Sequence, residues 1–302
     1  MKTGIRGLLS LPLMAACFYG ASASAQDYSL VEQKVHKLSD TVWWIEPVPA
    51  YGGNIAVSAG EDGILMVDDQ LMPLTDDIKE AVAGIQKGKV DFLVNSHYHY
   101  DHAGGNAAFG EESLILAHHS VRTRLLEARE AGSNFREEPH PAAAIPVVTF
   151  NENITFHWNG EAIDVIYIGN TSHTDGDVVI FFRDSNVIHT GDQYVNLNGY
   201  PFIDLAVGGS ATGLRDNIAG MLALIDDDTK VIPGHGPMTT KAELQAYHDR
   251  IAATIDIVEK QKLAGKSIEA IQETGLPDEY SKYTGFMTIP TWIGHVFSSL
   301  ND

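Results

Sequence analysis

Short apolar runs separated by turn-forming residues dominate the chain, and they predict strands more often than helices. Thr41–Ile45, Asn54–Ser58 and Ile64–Asp68 read as strands, the last two joined by a turn at Glu61-Asp62-Gly63. A helix is predicted from Thr75 to about Ile85, then a short buried strand over Val90–Asn95. Leu114–Ala117 reads as a further strand and Val121–Arg129 as a helix. The second half has the same style, with Ile154–Trp158 and Ala162–Ile168 flanking the Asn159-Gly160 turn signal, followed by Val178–Phe182 and Asn186–His189. Gly213–Ile225 is predicted helical, Lys230–Pro233 a strand, and Thr240–Lys262 a long amphipathic helix. Each half ends its strand run with a helix, which points to an α/β chain of two βα halves with their sheets packed together.

Two stretches break the pattern. Residues 132–148 and 194–212 are long, irregular and rich in Gly, Pro and aromatics, including Phe135, Tyr194, Tyr200, Pro201, Phe202 and Ile203. Loops of that length inside a compact domain commonly cover a functional site. Tyr194, Asn196, Tyr200 and Phe202 are therefore candidate substrate contacts.

The N-terminus reads differently from the rest. Lys2 and Arg6 precede an apolar run from Gly7 to Gly20, and Ala23-Ser24-Ala25 precedes Gln26. This is the order of a secretory signal peptide cleaved after Ala25, and the run is shorter than the roughly 20 residues of a spanning helix. Residues 1–25 are expected to be a signal peptide and 26–302 one domain, in a secreted protein, with a bacterial periplasm as its expected place. No second apolar run of spanning length and no Gly/Ser- or Pro-rich linker divides residues 26–302.

Composition narrows the chemistry. Cys17 is the one cysteine, so a chain starting at Gln26 has neither disulfide nor thiolate, and any metal must be held by nitrogen and oxygen. Without Lys2 and Arg6 the 20 basic residues fall to 18 against 40 acidic, a formal net charge of −22. That balance argues against nucleic acid, which is bound through lysine and arginine on phosphates.

Directly after the Val90–Asn95 strand comes NSHYHYDHAGGN, with His97, His99, Asp101 and His102 within six positions. If the segment is extended, His97, His99 and Asp101 face one way, Tyr98 and Tyr100 another, and His102 enters from the side. Four ligands are more than one tetrahedral ion takes from a single short loop, so two neighbouring ions are expected. Three further positions at strand ends, each beside small or turn residues, complete a set of seven: His173, Asp192 and His235. His36, His157, His248 and His295 fall outside these loops and read as structural or exposed. His118, His119 and His140 are undecided rim candidates, and His189 fits a core or supporting position.

The pattern His-x-His-x-Asp-His followed by His173, Asp192 and His235 resembles the metallo-β-lactamase superfamily of hydrolases. The resemblance runs from Gly53-Asn54 and Val67-Asp68-Asp69 to Pro233-Gly234-His235-Gly236. It implies a four-layer αββα sandwich with metals at one edge between the sheets. It also implies that His97, His99 and His173 hold one zinc, that Asp101, His102 and His235 hold the other, and that Asp192 bridges them. Two Zn2+ ions would then share a hydroxide nucleophile oriented by Asp101. Since imidazole binds metal only when neutral, metal affinity is expected to fall below about pH 6.

The resemblance leaves the substrate open, because one site serves many reactions when its loops change. Asp192 stands where β-lactamases of this family generally carry Cys or Ser, and where its thioesterases and lactonases carry Asp. The segment after it, Gln193-Tyr194-Val195-Asn196, lacks the lysine that many β-lactamases place nearby. Glyoxalase II is similar in Asp192 but has a basic C-terminal helical region, where this chain sets Asp249, Asp256 and Glu259 beside Arg250 and Lys260. The expectation is an exported dizinc hydrolase of a small cyclic or activated carbonyl compound, β-lactam or lactone. The alternatives are a thioester hydrolase of glyoxalase II type, a sulfur- or redox-associated metal protein of the same fold, and a metal-binding protein without catalysis. Histidine at position 99, where diiron relatives carry Glu, disfavours the redox form.

Overall fold

A computed structural model of the chain describes residues 27–127 and 140–300. The expected signal peptide and the 132–139 part of the first long loop lie outside the described residues. Among the described residues no helix is long and apolar enough to cross a membrane.

The first half builds a seven-stranded sheet from β1 (Glu32–Lys37), β2 (Val42–Val48), β3 (Ile55–Gly60), β4 (Gly63–Val67), β5 (Phe92–Asn95), β6 (Leu114–His118) and β7 (Val148–Phe150), in that spatial order. β1 to β4 pair antiparallel, and β4 to β7 pair parallel. The helices of this half are α1 (Thr75–Ile85), α2 (Tyr100–Ala103), α3 (Asn106–Phe109) and α4 (His119–Leu126). The second half builds a six-stranded sheet from β8 (Ile154–Trp158), β9 (Glu161–Ile166), β10 (Val179–Phe182), β11 (Val187–His189), β12 (Lys230–Ile232) and β13 (Thr239–Thr240). Its helices are α5 (Ala211–Leu224), α6 (Lys241–Leu263), α7 (Ile268–Thr274), α8 (Asp278–Ser281) and α9 (Ile289–Ser299).

Strand periodicity turns these elements into four layers. In β4, Leu65 and Val67 face the second sheet, while Ile64 and Met66 face α1. In β10, Ile180 and Phe182 face the first sheet, while Val179 and Phe181 face α5, α6 and α9. Both faces of each sheet are therefore apolar, which is why the inner strands read as continuous apolar runs. The result is the expected αββα sandwich.

Element boundaries follow local chemistry. Helix α1 spans the residues predicted for it, Thr75–Ile85. Thr240, predicted as the first residue of α6, is its N-cap: the side chain accepts from the Glu243 N–H and the Glu243 carboxylate returns to the Thr240 N–H, a reciprocal capping box. Strand β1 was absent from the prediction because Glu32–Lys37 is a charged, largely exposed edge, as edge strands commonly are.

The sandwich positions the site. The ends of β5, β11 and β12 and the β9–β10 connection lead into the segments that carry His97, Asp192, His235 and His173. Strands β11 and β12 are parallel with His189 opposite Ile232, so both loops leave at the same edge.

Phe182 is fully buried between the sheets. Phe182→Ala is expected to destabilise the fold by about 3–5 kcal/mol through lost burial and an unfilled cavity. Chemical denaturation would show this as a lower midpoint at unchanged slope; a loss under about 1 kcal/mol would mean the two sheets do not depend on this packing.

Candidate metal centre

The extended run stops at the end of β5: Ser96 and His97 lie in a bend, and Asp101 and His102 sit on the short helix α2, whose N-cap is His99. The alternation expected for Asp101 is therefore corrected: a helical turn, not a strand face, brings it to the site. All seven predicted ligands still converge. His97, His99 and His173 have ligand atoms within 4.8 Å of one another, as do His97, His102 and Asp192, and Asp101, His102 and His235. His102 and Asp192 stand between the flanking groups, with His102 Nε2 3.1 Å from Asp192 Oδ1 and 3.1 Å from His235 Nε2. Asp192 Oδ2 is 3.6 Å from His173 Nε2, and Asp101 Oδ2 is 3.1 Å from His235 Nε2.

Outer partners decide which nitrogen each ring turns inward. His102 Nδ1 lies 2.8 Å from Asp68 Oδ2, so it carries the proton and leaves the Nε2 lone pair facing the cluster. Ser96 donates its hydroxyl and its backbone N–H to Asp68, each at 2.6 Å. The Ser96 oxygen is then left to accept from His97 Nδ1 at 3.0 Å. His173 Nδ1 donates to the Phe202 carbonyl at 2.7 Å, and His99 Nε2 donates to Asp204 at 3.2 Å. Such partners are the usual way that ligating histidines are fixed in one tautomer.

Around His97, His99 and His173 the inward side therefore holds nitrogen lone pairs. His99 Nδ1 and His173 Nε2 face each other at 2.8 Å. His97 Nε2 and Asp192 Oδ1 are buried with no hydrogen-bond partner among the described residues; the 3.1 Å approach of His102 to Asp192 Oδ1 has the distance of a hydrogen bond without its direction. Lone pairs crowded in this way repel unless a cation sits among them, and unpartnered buried polar atoms call for an explanation. Imidazole and carboxylate without thiolate form a donor set that zinc accepts. The residues fit a metal centre.

Local backbone serves this crowding. A Cβ on Gly53 would lie 2.3 Å from the His102 ring, and one on Gly234 would lie 2.0 Å from Asp192 Oδ1. Asp68 is fully buried and has a positive φ of 61°, a strained conformation for a residue other than glycine. Asn54 carries the His235 loop: its amide donates to the carbonyls of Pro233 and Gly236, both at 2.8 Å. His189, the expected supporting residue, approaches the Asn54 carbonyl with Nε2 at 2.9 Å.

The other sequence candidates separate clearly. Tyr194 and Tyr200 are corrected from substrate contacts to core residues, each 3% exposed. Tyr194 packs on Tyr247, and Tyr200 stacks on Trp292 and donates its hydroxyl to the Tyr280 carbonyl. Asn196 is half-buried and ties its amide to the Pro237 carbonyl. Phe202 does border the cluster, with its ring centre 5.9 Å from that of His99 and 6.0 Å from that of His173. His118 stacks on Tyr167 and caps α4, His119 lies exposed near Thr149, and neither they nor His140 enter the ligand groups. His295, expected to be structural or exposed, packs with its ring 5.7 Å from that of Phe202. Asp68, Ser96 and Asp204 support the ligands and carried no pattern of their own in the sequence beyond the place of Asp68 at a strand end.

Charge divides the cluster. Burial, together with His102, His99 and His173, holds His97 well below the ordinary histidine range, and burial and His99 lower His173. Burial also disfavours charge on His102 and His235, but Asp192 and Asp101 outweigh it and raise both imidazoles. Asp192 is held well below the carboxylate range against its own burial by His235 and His102. Asp101 is lowered against its burial by His102 and His235.

The model of the metallo-beta-lactamase superfamily matches residues 52–235. A hydroxyacylglutathione hydrolase from Polaromonas sp. is 24% identical over 185 residues, which span 60% of this chain and 61% of that curated relative's length. Among solved structures, a metallo-β-lactamase from Pontibacter korlensis aligns with a TM-score of 0.59 at 17% identity, over 73% of this chain and 99% of that one. A stereoselective inverting sec-alkylsulfatase from Pseudomonas sp. aligns with a TM-score of 0.65 at 15% identity, over 88% of this chain and 50% of that one. At these identities the structural likeness is one of fold.

Protons compete with a divalent cation for the same lone pairs. Where an imidazole is raised, the proton wins at higher pH; where it is lowered, the nitrogen stays free to lower pH. As pH falls, the Asp101, His102 and His235 group is expected to release metal before the His97, His99 and His173 group. Metal content after dialysis at stepwise lower pH should pass through a plateau; loss in one step would show that the two groups are not distinguished in this way.

Proposed function

The chain belongs to the metallo-β-lactamase superfamily, and from that premise we propose that it is an exported dizinc hydrolase of small activated carbonyl compounds. Members of this superfamily are mostly metal-dependent hydrolases, and the observation that carries the reading is the convergence of seven possible metal ligands, with His97 Nε2 and Asp192 Oδ1 buried among them without a hydrogen-bond partner. His97, His99 and His173 would hold one zinc, Asp101, His102 and His235 the other, and Asp192, with one carboxylate oxygen toward each group, would join them. Zinc there would supply Lewis acidity and a water acidified toward neutral pH.

The chain's own groups supply the rest. The Asp101 side chain, 36% exposed, is the ligand most open to solvent. Its low-lying carboxylate is ionised at neutral pH and accepts a hydrogen bond from the attacking water, which orients that water toward the substrate carbonyl. Phe202 closes the other side with an apolar ring that excludes water and suits a substrate with an apolar body. Lactones and β-lactams fit this chemistry. A thioester is the second reading, supported by the likeness to a hydroxyacylglutathione hydrolase and by Asp192. Export rests on the signal-like order of residues 1–25, and the acidic balance disfavours polyanionic substrates at long range.

The test is a zinc-loaded preparation of residues 26–302 assayed in parallel on nitrocefin, a homoserine lactone and a thioester. Turnover of at least one is expected, and silence on all three with two metals bound would sink the carbonyl-hydrolase reading. Asp192→Asn removes the charge between the two groups and is expected to lower kcat by about 100-fold or more, on the scale of removing a stabilising transition-state contact. Unchanged kcat with unchanged metal content would mean that Asp192 does not join the ions.

A further inference from the structure

Residues Phe202–Asp204 reach both His99 and His173 by different atoms. The Phe202 carbonyl accepts the His173 Nδ1 proton at 2.7 Å, and the Asp204 carboxylate accepts from His99 Nε2 at 3.2 Å. The Asp204 N–H donates to the His173 carbonyl at 2.9 Å. Asp204 is 3% exposed, and the carboxylate oxygen that meets His99 also accepts from the Tyr98 hydroxyl, on the residue between His97 and His99. Between the two contacts, Ile203 is buried in the core beside α5, α6 and α9, and its N–H donates to His295 Nδ1 at 3.3 Å. His295 lies on α9, beyond the residues that the family model matches.

Among the described residues no hydrogen bond from Phe202–Asp204 reaches the other group of ligands. His102 is held by Asp68, and the His235 loop is held by Asn54 and by the Asn196 N–H on the His235 carbonyl. Resting on the two-ion reading, we propose that Phe202–Asp204 is a positioning clamp specific to the His97, His99 and His173 pocket, with Asp204 as its decisive residue. The clamp fixes two of three imidazoles in the tautomer that offers a lone pair, and α9 and Tyr98 hold the clamp itself. Metal affinity of this pocket then depends on the placement of Phe202–Asp204, while the 194–212 loop meets the His235 segment through other residues, Tyr194 and Asn196.

The supporting hydrogen bond of a ligating histidine commonly accounts for about 10–100-fold in metal affinity. The experiment isolates each pocket. His235→Ala leaves the three-histidine pocket intact, and His97→Ala leaves the Asp101, His102 and His235 pocket intact. Zinc affinity is measured by chelator competition, and Co2+ absorption reports the ligand geometry. Adding Asp204→Ala to the His235→Ala protein should weaken zinc binding about 10–100-fold and shift the Co2+ spectrum. Added to His97→Ala it should change neither. Asp204→Asn, which keeps an acceptor for His99 Nε2, should restore most of the affinity. Tyr98→Phe, which keeps the packing, should weaken the same pocket alone, and it serves as the readout should Asp204→Ala fail to fold. Equal losses in both backgrounds would overturn the clamp and leave Asp204 a general structural residue. Unchanged affinity in both would overturn it as well. A wild-type chain that binds no metal would instead overturn the two-ion reading on which the clamp rests.

Discussion

Seven side chains turn imidazole nitrogens and carboxylate oxygens toward one another at one edge of a sheet sandwich, and His97, His99 and His173 meet there with their lone pairs. That crowding is the constraint on which the rest of the molecule depends. The three imidazoles of His97, His99 and His173 gathered without a cation would push apart, since the His99 and His173 lone pairs face at 2.8 Å. A surrounding of fixed hydrogen bonds and close backbone contacts must therefore oppose the repulsion and keep each ring aimed inward. The sandwich provides that rigidity: its inner layer is closely packed by residues such as Phe182, Ile180, Leu65 and Val67, all essentially unexposed, and packed interiors transmit strain instead of absorbing it.

The holding groups fall into separate systems. Asp68, in its strained left-handed conformation, serves His102 directly and His97 through Ser96. Asp204 and the Phe202 carbonyl serve His99 and His173, and Asn54 and Asn196 serve the His235 loop. Glycines at 53 and 234 allow the approach of backbone to His102 and Asp192. The two ligand groups thus differ in both support and charge: carboxylates surround His102 and His235, while the neighbours that lower His97 are other imidazoles. The group beside Asp101 is the more open to solvent, and the other is walled by Phe202.

Much of this was legible in the residues. Strands buried on both faces appear as unbroken apolar runs, so β3, β4, β5 and β10 could be read, whereas the charged edge β1 could not. The candidate ligands were legible because they are compressed into short segments at strand ends; four of the seven lie in six consecutive positions. Their supports were not, since Asp204, Ser96 and His295 are single residues whose partners lie far off in the chain, and only folding brings them together. Tyr194 and Tyr200 misled for the converse reason. Aromatics in a Gly- and Pro-rich loop resemble a cover over a site, but α6 and α9 supply Tyr247 and Trp292 to bury them. The helical turn at Tyr100 has no strong local signal in Tyr100-Asp101-His102, yet it decides that Asp101 meets His235 instead of His97.

The central claim is that two metal ions occupy this crowded end, joined by Asp192. Anomalous diffraction at the zinc edge, from crystals grown with the metal, tests it most directly. The account predicts two peaks, one within bonding distance of His97, His99 and His173 and the other within bonding distance of Asp101, His102 and His235, with the Asp192 carboxylate between them. A single peak at full zinc saturation, or peaks away from these residues, would contradict it.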